Sequence, residues 1–393
     1  MVSRQALRLG VTLAIGLWLG GCDDFAPGAG KGGAPSARSQ PSATQIATAP
    51  VAPQAVAPGP PTVEAQPADT QPVATTAPPL ITTGSVDPKA AAIEASTFSA
   101  DRGGAARRGL LIKVEVLLDR AHFSPGVIDG RGGDNLKHAI AAMEKARGLP
   151  GDGALDSAVF DALTSADSGP VTQDYTITAD DEKGPFLGKL PVGFVALAKL
   201  GHLGYVSPIQ ALAEKFHMDQ ALLLALNPTA DFTAAGTRIL VVRAGSGDLG
   251  ARVTRVEVDK AADQLRAFDQ AGKLVAAFPA TVGSAERPAP AGEWAVRSVT
   301  ANPDYTFDPT RLTFGPADKG KLTIAPGPNN PVGTTWIALT KETYGIHGSP
   351  DPTRVGKVAS HGCVRLTNWD AEALGRAVKK GAVVDFVGVE RRA

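Results

Sequence analysis

Tyr344-Gly345-Ile346-His347-Gly348-Ser349, followed by Ser360-His361-Gly362-Cys363-Val364-Arg365-Leu366-Thr367-Asn368, is the stretch from which the fold is read. It holds one of the two cysteines and two of the six histidines in the chain. His347 stands sixteen positions before Cys363, and His361 two before it. Gly345, Gly348, Pro350, Pro352, Gly356 and Gly362 punctuate the stretch, which predicts loops between short strands instead of a helix. Loops carry function when a rigid scaffold positions them.

Attack by a thiolate suits these residue types. A free cysteine has a pKa of about 8.5, and a partnered imidazole both lowers it and handles the proton. Small residues beside Cys363 would let a substrate carbonyl reach the sulfur. The backbone N–H groups of Gly362, Cys363 and Val364 would then face the developing oxyanion. Two other readings stay open on the residues alone. One is a buried structural thiol, since buried cysteine is common. The other is a zinc site, for which the chain lacks the usual Cys and His spacings.

In identity, order and gap, His347-Gly348-Ser349 and Ser360 to Asn368 resemble the signature of the L,D-transpeptidase catalytic domain, also called the YkuD domain. The resemblance implies that Cys363 attacks the carbonyl of the residue with the L-centre in a peptidoglycan stem tetrapeptide, expelling the terminal D-alanine. It implies that His347 is the general base and later the acid. His361, Gly362, Ser360, Gly348 and Ser349 are expected to support the loop and the oxyanion, and the imidazole is expected to be oriented by a neighbouring backbone or hydroxyl acceptor, with Ser349 and Ser360 as the candidate hydroxyls. Arg365 is expected to anchor a stem carboxylate, because a guanidinium fork matches that group; a salt bridge holding the loop is its alternative. Tyr344 is expected at the substrate, and Asn368 and Trp369 in packing and capping. Transfer to a diaminopimelate or lysine amine gives a cross-link or a protein attachment. Transfer to water makes the same acyl-enzyme an L,D-carboxypeptidase. No metal or organic cofactor is implied. A non-catalytic cell-wall-binding lipoprotein is the reading from another class. Papain-like peptidases place Cys before His, the reverse of the order here.

Met1 to Cys22 reads as an export signal, with Arg4 and Arg8 before a short apolar run. Leu19-Gly20-Gly21-Cys22 resembles a bacterial lipobox, which implies lipidation at Cys22 and an anchor on the periplasmic side of a membrane, facing the cell wall. Lipidation there would leave Cys363 as the sole thiol. Residues 23–105 are rich in Ala, Pro and Thr and predict a disordered tether.

Apolar stripes at Leu110–Leu118, Leu136–Met143 and Leu155–Leu163 predict a three-helix domain over 106–168. Its Pro125-Gly126-Val127-Ile128-Asp129-Gly130 turn resembles that of the peptidoglycan-binding domain family, with Met143-Glu144 where an aromatic residue and Gln often stand. Asp129 is expected to bond its own turn. Residues 172–244 are similar to a LysM carbohydrate-binding module: a strand at Tyr175–Ile177, helices at Pro208–Phe216 and Gln220–Leu226, and a closing strand at Gly236–Val242. A long insertion separates Ile177 from Pro208. The alternative to glycan binding is a spacer docked on the catalytic domain.

Residues 251–389 alternate short strands with Gly/Pro turns, which predicts a β-sandwich or open barrel with one good helix at Asp370–Val378. The whole is a multidomain α+β chain. Net charge is zero and aromatic residues are few, which argues against a nucleic-acid partner. After the signal no apolar run is long enough to span a bilayer, so the body is expected to be soluble.

Overall fold

Pro88–Glu94 forms helix α1, begun by the Asp87 carboxylate, which accepts from the Lys89 N–H, and by Pro88 in the first turn. The computed structural model describes residues 87–99, 103–283, 288–310, 318, 320–358, 360 and 362–389. Within that set the tether reading fails at its C-terminal end. A capped Ala-Ala-Ala-Ile run is a good helix, and it buries Ala90 and Ile93. Burying one such isoleucine contributes about 1.5–3 kcal/mol. Glu94 then accepts from the N–H groups of Val171 and Thr172, tying α1 to the strand that follows the helical domain. The signal, Cys22 and the tether up to residue 86 lie outside the described residues.

The three predicted helices are α2 (Gly104–Arg120), α3 (Asp134–Ala146) and α4 (Ser157–Ala166). In the turn before α3, Glu115 accepts from the N–H groups of Asp129 and Gly130, and Asp129 accepts from Arg131. Asp129 is thus a turn residue. Met143 and Glu144 are buried, with Glu144 accepting from Gly153.

The next stretch runs β1 (Thr172–Thr176), α5 (Ala179–Lys183), α6 (Phe194–Leu197), α7 (Pro208–Lys215), α8 (Gln220–Leu226) and β2 (Arg238–Val242). β1 and β2 pair antiparallel, and α5 and α6 fall inside the insertion. Asp219 caps α8 through the N–H groups of Ala221 and Leu222. These residues do not build a core of their own. Leu222, Leu223, Ile239 and Val241 share one cluster with Leu110, Leu118, Ile140 and Leu163 of the helical domain, and with Ala277.

The C-terminal segment is β3 (Val253–Asp259), β4 (Gln264–Phe268), β5 (Leu274–Pro279), β6 (Gly292–Ala301), β7 (Tyr305–Phe307), β8 (Leu322–Ile324), β9 (Thr335–Leu339), β10 (Gly345–His347), β11 (Val364–Arg365), α9 (Asn368–Ala377) and β12 (Val378–Val387). Eight strands form one mixed sheet in the order β11-β10-β9-β6-β12-β3-β4-β5. Among the described residues no second sheet stacks on it, so the expected sandwich gives way to the open, half-barrel alternative. Only β7 and β8 stand apart, as a two-stranded hairpin. α9 starts two residues before its expected position because the Thr367 hydroxyl caps it through the Asp370 N–H.

Candidate active site

Strand pairing brings the two halves of the opening motif together. β10 and β11 are parallel neighbours, with Ile346 opposite Val364 and His347 opposite Arg365. Side chains alternate along a strand. Ile346 and Val364 are fully buried in the sheet's core, so His347 and Arg365 share the other face. Gly345 opens β10, and Cys363 stands in the bend just before β11. The Gly345 N–H favours the charged form of the Cys363 sulfur, and the thiol lies 3.8 Å from the Thr343 carbonyl.

The His347 ring is buried and stacked on Trp336, with ring centroids 5.5 Å apart. Its Nδ1 lies 2.7 Å from the Gly348 carbonyl oxygen. A carbonyl only accepts, so Nδ1 carries the proton and Nε2 keeps the free lone pair. Burial holds the imidazole down at about 3, the positive charge of Arg365 adds to that, and the Gly348 carbonyl opposes both. Cys363 is half-buried, and burial pushes its thiol up against the pull of the Gly345 N–H and Arg365. The resting pair is therefore neutral thiol and neutral imidazole, not thiolate and imidazolium.

Ser360 and Ser349 do not orient the imidazole; the backbone acceptor next to His347 does. Ser360 Oγ donates to the Cys363 carbonyl at 2.7 Å and accepts from the Gly362 N–H at 3.0 Å, which shapes the cysteine loop. That N–H is thus committed inside the loop and is not an oxyanion donor. Ser349 bonds Asp351 in its own turn. Gly348 packs so closely on Asn368 that a Cβ would sit 2.2 Å from its Oδ1. Gly362 has φ +115°, and a Cβ there would meet the Tyr344 ring at 3.1 Å, so Tyr344 walls the loop beside Cys363. His361 lies outside the described residues.

Arg365 is largely enclosed, and the titratable groups that act on it are Cys363, Arg354 and Tyr305. Asn368 reaches Thr334, Pro328 and Glu214, which makes it a tie between α9 and α7. Trp369 is buried against His217.

Three participants were absent from the sequence reading: Trp336, the Gly345 N–H, and Tyr305 on β7. The Tyr305 phenol is pushed up to about 12 by burial and then by Cys363, with Arg365 pulling the other way. No motif marks Tyr305, which reaches the site by tertiary placement alone.

Residues 253–386 match the family model of the L,D-transpeptidase catalytic domain, YkuD, and residues 107–163 that of a "Putative peptidoglycan binding domain". A curated relative from Bacillus licheniformis, "Putative L,D-transpeptidase YkuD", is 26% identical over 180 residues, covering 45% of this chain and 92% of its own. Its Bacillus subtilis namesake is 42% identical over 57 residues, 14% of this chain and 35% of that one. Among solved structures, an L,D-transpeptidase (Yku) from Stackebrandtia nassauensis aligns over 76% of this chain and 98% of its own, at 14% identity and a TM-score of 0.28. An L,D-transpeptidase from Mycobacterium smegmatis aligns over 39% of this chain and 65% of its own, at 20% identity and a TM-score of 0.29.

Proposed function

We propose that this chain, which carries an L,D-transpeptidase catalytic domain behind a peptidoglycan-binding domain, joins peptidoglycan stem peptides through an acyl-enzyme on Cys363. The observation that carries the proposal is the parallel pairing that sets His347 opposite Arg365, with Cys363 immediately before β11 and the imidazole pinned at Nδ1.

The steps follow from the protonation states. Both groups start neutral, so the thiol proton passes to His347 Nε2 as the sulfur attacks the carbonyl of the L-centre in a stem tetrapeptide. The tetrahedral intermediate collapses, His347 returns the proton to the departing amine, and D-alanine leaves a thioester behind. An acceptor amine, from diaminopimelate or a lysine, then attacks the thioester while His347 takes its proton. The sulfur departs as a thiolate and regains the proton from His347, so the balance closes without a cofactor. Arg365, opposite His347, disfavours a lasting imidazolium and hastens return of the proton. It also offers a guanidinium to the donor's carboxylate. Tyr344 borders the entering peptide, and Ser360 holds the carbonyl side of the cysteine loop.

We extend the reading to the rest of the chain. The paired β1 and β2 with α7 and α8 between them support a LysM-like module with affinity for glycan. The Leu19-Gly20-Gly21-Cys22 motif supports export and lipid anchoring at Cys22 on the periplasmic face of a membrane.

The test incubates the full chain, and Cys363→Ala, with a purified disaccharide-tetrapeptide. Released D-alanine with dimer products in the wild type alone is the expected result. D-alanine with only tripeptide product would make the chain a carboxypeptidase. No release from a folded, wall-binding chain would leave a non-catalytic binding protein.

A further inference from the structure

The β7–β8 hairpin poses a physical problem. Each strand has three residues, and neither pairs with the eight-stranded sheet. An isolated hairpin of this size is marginal in water. Yet Tyr305, at its base, sits within electrostatic reach of both Cys363 and Arg365. Something outside the sheet must hold it there.

The support comes from the insertion at 178–207. Leu197 and Leu203 are buried with Ile324 of β8 in a small cluster of their own, which Phe194, Leu200, Tyr305 and Ala325 complete. The Phe194 ring lies 5.5 Å from Tyr305 and 5.3 Å from Phe307, tilted against both. Phe307 is fully buried. A main-chain clasp adds to these contacts. The Leu203 N–H donates to the Pro326 carbonyl at 2.9 Å, and the Asn329 N–H donates to the Leu203 carbonyl at 3.0 Å. Asn329 Nδ2 also donates to the Gly204 carbonyl at 2.7 Å. The approach is so close that a Cβ on Gly327, at φ +141°, would lie 2.2 Å from the Leu203 oxygen. Next to the clasp, Asn330 Nδ2 donates to the Ala325 carbonyl at 2.8 Å, at the foot of β8.

We propose that the insertion is a brace for the donor site: Phe194 and the Leu203 clasp fix the β7–β8 hairpin, and Phe194 is a positioning residue that acts through Tyr305. The proposal rests on the reading of Cys363 as the acylated nucleophile. It gives the second module a task beyond glycan binding, since the same insertion that lengthens the module holds the hairpin that carries Tyr305. Loss of the brace would loosen a wall that contacts the ground state and the transition state alike. That kind of loss raises KM and spares kcat.

The experiment compares the full-length wild type with Phe194→Ala, Phe194→Leu and Gly327→Ala. Two quantities are read: the alkylation rate of Cys363 by iodoacetamide, and KM and kcat for the disaccharide-tetrapeptide. Phe194→Ala is expected to raise the alkylation rate about threefold or more as access to the sulfur widens. It is also expected to raise KM about tenfold with kcat within about threefold of wild type. Phe194→Leu should restore most of both. Gly327→Ala prises the clasp without removing apolar volume, and it decides the matter if Phe194→Ala is recovered unfolded. Unchanged alkylation and KM in a folded Phe194→Ala or Gly327→Ala chain would overturn the brace. If the wild type turns over no donor, the proposed function fails, while the alkylation rates still decide the brace.

Discussion

His347 and His217 are both buried and both stacked on a tryptophan, His347 inclined by 28° on Trp336 and His217 nearly flat on Trp369. Burial pulls both imidazoles toward the neutral form. For His347 the positive charge of Arg365 adds to burial, the Gly348 carbonyl offsets the two only in part, and the ring stays neutral down to about 3. For His217 the Asp119 carboxylate, 3.0 Å from Nδ1, outweighs burial, and Asp370 and Glu214 add to it, so this ring is raised. Asp119 is lowered in turn, as the charge and hydrogen bond of His217 overcome its own burial. The sign of the nearest charge, not depth, separates a proton acceptor from half of an ion pair. The first lies opposite Arg365 across β10 and β11. The second ties α2 to the residues after α7 beneath α9.

Swapping the two rings out should break the comparison most sharply. His347→Gln is expected to cost about 10²–10⁴-fold in D-alanine release with the fold kept, as removal of a general base does. His217→Gln should leave the rate per folded molecule near wild type. It should instead lower unfolding free energy by about 3–5 kcal/mol, because the Asp119 charge is left buried without its partner. Denaturant titration beside the activity assay reads both.

A pH series sharpens the contrast. His217 has its folded pKa above the unfolded value, so its contribution is fully present below about 6.5 and is lost as pH rises through the folded pKa. Asp119 is the mirror case: its contribution is present above the unfolded carboxylate pKa and is lost as pH falls through the lowered one. Stability from the pair should thus peak on the acid side of neutrality, and His217→Gln should flatten the alkaline decline. Alkylation of Cys363 should behave differently. With a raised thiol and a neutral imidazole, its rate should still be climbing at pH 9 with no acidic plateau. A plateau below neutrality would indicate a thiolate–imidazolium pair in the resting enzyme.

Two smaller effects follow. Arg365→Gln removes the positive neighbour, so the His347 pKa should move upward, read by NMR titration of the ring. Ser360→Ala leaves the Gly362 N–H and the Cys363 carbonyl short of a partner and should cost about 1 kcal/mol of stability.

Much of this was legible before the fold was known, for reasons visible in particular residues. Glycine and proline around His347 and Cys363 marked short strands, and the cap at Asp219 fixed where α8 begins, whereas the Thr367 cap went unread and α9 begins two residues earlier than expected. What sequence periodicity cannot say is what covers an apolar face. The shared core of the two N-terminal modules stayed hidden for that reason, as did the placement of Tyr305 and Trp336. α1 was lost because its alanines average into an Ala/Pro-rich tail. The orientation of His347 was left between a neighbouring backbone acceptor and a hydroxyl, and the adjacent Gly348 carbonyl serves, an acceptor that every residue carries and no motif can single out.

Acid-quenched intact-mass spectrometry of the full chain with a disaccharide-tetrapeptide, beside Cys363→Ala, addresses the catalytic assignment most directly. A thioester adduct on the wild type, formed as D-alanine appears and absent from the variant, is the predicted result. D-alanine release that survives in Cys363→Ala would contradict it.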